Sequence, residues 1–181
     1  MTKPPRRIDN IEDAFEFLRE IKAPARLASH ATLVKEAADL LLEKLGQLGI
    51  VCDKDLVLIG VVFHDAGKSI FPEEFDVKGE KHERAGQELL LGYGVSSKIA
   101  RCCVSHGQWR SMDCSFEELL VALSDTLWKG KRDDELEKRV IDEAARRLKK
   151  EVWDVYIDLD SCFENIASGG SERLKRSEEY R

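Results

Sequence analysis

Four histidines carry the rarest chemistry in this 181-residue chain, and none of them lies in a charged tail. His30 falls on an apolar helical face, His64 and Asp65 form a doublet closing the most hydrophobic segment, and His82 and His106 follow beside apolar stretches. Asp125 sits within Leu119-Leu120-Val121-Ala122-Leu123-Ser124-Asp125-Thr126-Leu127-Trp128, where an ionised carboxylate is costly unless a cation or metal neutralises it. Imidazole and carboxylate together suit a divalent ion such as Mn, Fe, Co, Ni or Zn, and carboxylates also accept Mg; nitrogen raises affinity while oxygen offsets charge. Adjacent helical residues diverge by about 100°, yet near a helix end both His64 and Asp65 can turn toward one centre. Lys68, four residues after His64 and three after Asp65, stands beside the same site. Singly, each has a plainer role: a hydrogen-bonded core histidine, a capping aspartate, a cation at a helix C-terminus. Their joint placement points to a shared metal site.

The elements that must position these groups read as helices throughout, an all-α fold of about six to eight helices. Asn10 and Asp13 start a short amphipathic helix carrying Ile11, Phe15, Leu18 and Ile21, which Pro24 stops. From about Leu27 to Leu48, His30, Val34, Ala37, Leu41 and Leu45 share one face, and Gly49 ends the run. The stretch from Asp53 to Lys68 fits a buried strand as well as a helix by pattern alone. Asp53 as N-cap and the lack of an alternating partner nearby favour a central helix without deciding the choice. A loop with Pro72 precedes a helix from about Glu80 to Leu91, and Gly92-Tyr93-Gly94 breaks it. Ser96 to about His106 predicts another helix, and Ser115 with Glu118 forms a capping-box pattern for a helix through Trp128. A long amphipathic stretch from Asp133 continues or rebends through Phe163 to Gly169-Gly170. Residues 1–10 are expected to be a flexible N-terminus, 11–168 one helical domain with a C-terminal extension, and 169–181 a disordered charged tail.

Composition narrows the function classes. The formal net charge of −6 argues against a broad basic surface for long nucleic acid. No apolar run approaches the roughly 18–20 residues that span a membrane, and the N-terminus lacks a signal-peptide core, so a cytoplasmic protein is expected. Five cysteines without a CxxC pair indicate neither a disulfide framework nor a thiolate zinc site. Cys103 and His106 sit three apart as a conceivable half-site, beside the plainer reading of buried reduced thiols.

Taken in order, His30, then Val61-Val62-Phe63-His64-Asp65-Ala66-Gly67-Lys68, then Leu123-Ser124-Asp125 resembles the H…HD…D pattern of the HD superfamily of metal-dependent phosphohydrolases. That resemblance implies an HD-domain helical bundle in which His30, His64, Asp65 and Asp125 hold a first divalent metal. His82 and His106 resemble the extra histidines of the dinuclear subgroup, with Asp65 bridging two ions; the competing reading has one ion, with His82 and His106 contacting phosphate. The implied activity is hydrolysis of a phosphate ester or anhydride of a nucleotide or similar small phosphorylated substrate by metal-activated water. Asp65 and Lys68 would be catalytic, Lys68 adding positive charge where phosphoryl charge builds. Arg84 and Arg110 are candidates for holding a distal phosphate, with an exposed surface cation as the plainer role. The alternative is a non-catalytic regulatory HD module that binds a nucleotide. Specificity is expected from the loops at 72–81 and 108–113.

Overall fold

In the computed structural model, which describes residues 5–179, Asn10 caps the first helix, α1 (Ile11–Glu20), by accepting the Asp13 N–H. Helix α2 (Ala25–Gln47) follows Pro24 and presents Val34, Ala37, Leu41 and Leu45 to the interior, with Gly49 at φ +77° taking the left-handed turn that ends it. Helix α3 (Lys54–Phe63) starts at Asp53, whose carboxylate accepts the Leu56 N–H at 3.0 Å. Its Leu56, Val57 and Ile59 to Phe63 are all buried, so this helix is apolar nearly all round and lies in the middle of the protein. Branched Val and Ile suit a strand, but there is no strand among the described residues to pair with, and α1, α2 and the later helices over Cys102–Gln108 and Phe116–Leu127 enclose α3 instead. At Gly60 a Cβ would approach Cys102 Sγ and Val121 Cγ2 to 2.8 Å each, so the missing side chain lets two neighbouring helices close on α3.

The α-helix stops at Phe63 rather than continuing to Lys68. His64 occupies its C-cap, and a 3-10 turn, Ala66–Ser69, redirects the chain. A second 3-10 turn, Pro72–Phe75, leads to α4 (Lys81–Gly92). The helix expected over 96–106 is two pieces, α5 (Ser97–Ala100) and α6 (Cys102–Gln108), separated at Arg101. Helix α7 (Phe116–Leu127) begins with the capping box of Ser115 and Glu118. Helices α8 (Asp134–Leu148) and α9 (Trp153–Ser168) rebend where Lys149 adopts a left-handed φ of 54°. Eight helices of nine or more residues make up the all-α fold among the described residues. Two buried clusters flank α3: Val57 and Val61 join the one built from α2 and α7 to α9, while Leu56, Ile59, Val62 and Phe63 join the one built on α1, α4 and α5.

Both expected floppy ends need correction where the structure describes them. Met1 to Pro4, Tyr180 and Arg181 lie outside the described residues. Residues 5–10 are held to the body: the Arg6 N–H donates to the Gly94 carbonyl at 2.8 Å, its guanidinium pairs with Glu20 at 2.7 Å, and Ile8 is buried. At the other end Gly170–Glu178 is a helix, α10, not a disordered segment. Its charged composition hides an anchor. Arg173 is buried and donates from Nε to the Trp128 carbonyl at 2.7 Å and from Nη2 to the carbonyls of Leu127 and Ile166. These carbonyls end α7 and α9, where helix dipoles favour a cation. Burial lowers the Arg173 pKa, the cost of holding its charge there.

The capping box yields a pH-dependent expectation. Burial pushes the Glu118 carboxyl up, but Arg101 at 2.9 Å and the Ser115 N–H at 2.9 Å outweigh it and lower the pKa. A lowered pKa means stabilisation that is complete above the unfolded carboxyl value and fades as pH falls through the folded one. Glu118→Gln should therefore cost about 1–2 kcal/mol at pH 7, with the difference shrinking in acid. Urea unfolding at pH 7 and pH 3 checks this, and an equal cost at both would exclude the ionised cap.

Candidate metal centre

Five segments converge on one carboxylate. α2 supplies His30 and the end of α3 supplies His64 and Asp65; the first turn of α4 supplies His82, α6 supplies His106 and α7 supplies Asp125. The two oxygens of Asp65 face different partners. Oδ2 lies 3.2 Å from His30 Nε2 and 3.7 Å from His64 Nε2, while Oδ1 lies 3.2 Å from His82 Nε2 and 3.7 Å from His106 Nε2. Asp125 Oδ1 joins the first side, 3.6 Å from His30 Nε2 and 3.5 Å from His64 Nε2. The ligating atoms of His30, His64 and Asp65, and separately those of Asp65, His82 and His106, lie within 4.8 Å of one another.

The outer nitrogens set the tautomers. His64 Nδ1–H donates to the Val61 carbonyl at 2.8 Å, His82 Nδ1–H to Glu74 at 2.6 Å, and His106 Nδ1–H to the Cys102 carbonyl at 3.2 Å. Carbonyls and carboxylates only accept, so each Nδ1 carries the proton and each Nε2 turns its lone pair inward in the neutral ring. His30 Nε2 and His64 Nε2 stand 3.1 Å apart, and the buried His82 Nε2 has no hydrogen-bond partner. Lone pairs of His64, His82 and His106 turned toward the carboxylate oxygens of Asp65 and Asp125 are unfavourable unless a cation lies between them. The donor set therefore fits a divalent ion, with the second layer of hydrogen bonds that orients metal-binding histidines.

The electrostatics are set by burial and by the mutual pull of imidazoles and carboxylates. Burial pushes Asp65 up, but His64, His30 and His82 outweigh it and hold the carboxyl well below the usual range. Asp125 is likewise lowered, burial being overcome by Lys129 and His64. Burial lowers His30, and takes His106 down to about 4, so His106 is neutral at pH 7. For His64 and His82 burial acts downward too, yet Asp65 with Asp125 or Glu74 raises them.

Close backbone contact sets this spacing. A Cβ on Gly67 would lie 1.9 Å from the His82 carbonyl oxygen and 2.6 Å from the Gly86 nitrogen. Only with glycine there can the Ala66–Ser69 turn rest on α4 and bring Asp65 to His82. Lys68 Nζ then reaches Asp65 Oδ2 at 2.7 Å. Asp125 is steadied by Trp128 Nε1–H at 3.1 Å and Lys129 Nζ at 3.2 Å.

A cavity of about 520 Å³ opens onto the centre. Arg84 and Arg110 do not line it. Arg84 is exposed, two residues past His82 and so about 200° round α4. Arg110 is committed to Asp133 at 2.5 Å and Glu135 at 3.0 Å. The lining cations are Arg26, Lys68, Lys78 and Lys129. Of the two expected specificity loops, the first contributes Glu74, Phe75, Lys78 and Gly79, whereas none of residues 108–113 lines the cavity. The Cys103 thiol donates to the Phe63 carbonyl at 3.0 Å and burial drives its pKa up, so it makes no half-site with His106.

Sequence reasoning missed Glu74, Trp128, Lys129 and the α10 residues Leu174 and Ser177. Lys129 follows Asp125 by four residues, the same helical spacing that drew attention to Lys68, and was findable that way. Glu74 reaches His82 from a loop, which no periodicity reveals. No helix among the described residues is long and apolar enough to cross a membrane. A family model described as HD domain matches residues 27–149, more than half of the chain. No curated protein and no solved structure matches it.

Proposed function

Because the chain belongs to the HD-domain family, we propose that it is a metal-dependent phosphohydrolase cleaving a phosphate ester or anhydride of a nucleotide or similarly small phosphorylated molecule. The observation that carries this reading is the Asp65 carboxylate, which offers one oxygen to the His30 and His64 side and the other to the His82 and His106 side. Such a shared carboxylate favours two ions over one. His30, His64, Asp65 and Asp125 would hold the first, and Asp65, His82 and His106 the second. Bound divalent ions supply charge withdrawal from the phosphoryl oxygens and an activated water at neutral pH.

The chain's own groups do the rest. Lys68 places an ammonium at the rim of the centre, where it stabilises the negative charge that builds on the phosphoryl oxygens. Lys129 and Trp128 fix which Asp125 oxygen turns inward, and Glu74 fixes the His82 tautomer. The cavity volume of about 520 Å³ is enough for a mononucleotide-sized ligand.

The test is metal content of protein purified without chelator, paired with phosphate release from a nucleotide and dinucleotide panel under Mn, Fe(II), Co, Ni, Zn and Mg. About two ions per chain with turnover is expected. One ion with turnover would return His82 and His106 to phosphate contacts. Absence of turnover after reconstitution would leave a nucleotide-binding regulatory module. A narrower expectation concerns Glu74: Glu74→Gln should weaken the second ion by about 10- to 100-fold, read by metal titration, while the first ion keeps its affinity. Equal weakening of both would remove Glu74 from its assigned role.

A further inference from the structure

Helix α10 lies beyond residue 149, outside the family match, yet it reaches the mouth of the metal centre. Leu174 and Ser177, three residues apart and thus on one face of α10, line the same cavity as Asp65, His82 and His106. Leu174 is 40% exposed, one of three large apolar side chains, with Phe75 and Trp128, that line the chamber. A single exposed leucine is ordinary, so the weight falls on how firmly α10 is held. Arg173, the residue before Leu174, is buried among the carbonyls that end α7 and α9. Arg176, the residue before Ser177, makes a two-point pair with Glu36 of α2 at 2.8 and 2.5 Å. At the start of the helix, Gly170 lies so near Gly130 that a Cβ would come within 2.2 Å of the Gly130 nitrogen. Each wall residue thus has an anchored neighbour, and the wall is formed before any ligand arrives.

Other lining residues differ in chemistry. Phe75 has two cations near its ring, Arg26 at 4.8 Å and Lys68 at 5.3 Å from the centroid; Arg26 is paired with Asp76 at 2.8 and 3.0 Å, and Lys78 also lines the cavity. Cationic groups suit phosphate oxygens; Leu174 offers apolar contact, and Ser177, whose hydroxyl donates to the Leu174 carbonyl at 2.6 Å, offers its oxygen as an acceptor. We propose that α10 is the specificity wall of this site, with Leu174 and Ser177 contacting the organic part of a substrate whose phosphate lies at the Asp65 centre. This rests on the phosphohydrolase reading. It deepens that reading by giving the substrate class: a phosphate ester bearing a compact organic group with an apolar face, of nucleoside or aromatic size, in preference to inorganic or very small phosphates.

The experiment compares two non-hydrolysable probes sharing one head group, phenylphosphonate and methylphosphonate, by calorimetric titration of the full chain loaded with Mn. The wild type is expected to bind phenylphosphonate roughly tenfold more tightly. In Leu174→Asp that ratio should fall to near one, and Leu174→Trp, which fills the same space, should reverse it. General damage to the fold weakens both probes alike and leaves the ratio standing, so the ratio reports the wall alone. A ratio that neither substitution moves would overturn the proposal while leaving the phosphohydrolase reading intact. Failure of the wild type to bind either phosphonate with metal present would instead remove both.

Discussion

Asp65→Asn should abolish most metal-dependent turnover, lowering phosphate release by at least about 10³-fold, the scale of losing a group that acts as part of a catalytic unit. The substitution keeps the shape of the side chain but removes the charge that four histidines and Lys68 surround. One oxygen becomes an NH₂, which cannot ligate and which repels a cation. Both sides of the centre share this residue, so metal content should fall on both together, in contrast to Glu74→Gln, which acts on one. Elemental analysis alongside initial rates separates the two patterns. An Asp65→Asn protein that kept two ions and ordinary rates would refute the shared carboxylate.

Gly67→Ala should be the most damaging conservative change away from the ligands. The added methyl has nowhere to go: its nearest neighbours, at 1.9 and 2.6 Å, are backbone atoms of α4 that cannot rotate aside. The turn must lift off the helix, at a cost of about 3 kcal/mol or more for overpacking. For a chain of this length that corresponds to a melting temperature lower by roughly 6–12 °C. The same displacement moves Asp65 away from His82, so metal on the His82 and His106 side should weaken as well. Thermal unfolding with and without Mn measures both effects. Wild-type melting and metal content in Gly67→Ala would mean that the turn and α4 do not touch in this way.

The centre was legible in the sequence because its residue types are scarce. With four histidines in 181 residues, each near apolar positions, their convergence could be inferred before any fold was known. Cations are different. Among 29 lysines and arginines, nearness in sequence is a poor guide, which is why Arg84 was named and Arg26 was not. Two positions along a helix turn a side chain to the far face, whereas Arg26 arrives from one turn before His30. Helix α3 was ambiguous because its burial on every side erases the periodicity that separates helix from strand. Helix α10 was mistaken for disorder because its stability comes from guanidinium groups on the carbonyls and carboxylate of other elements, not from an apolar stripe.

Trp128 links the metal-facing Asp125 to helix α10 through one residue. Its indole N–H donates to Asp125, while its backbone carbonyl accepts from Arg173, 45 positions later. Order of assembly follows from this. During synthesis the N-terminal part of a protein emerges and collapses first, and contacts spanning long stretches of sequence form slowly. The histidines of α2, α4 and α6 can gather while Asp125 still lacks the clamp behind it. Only when α10 docks is the tryptophan held on both its indole and its carbonyl, so the clamp behind Asp125 is completed after the histidines have come together.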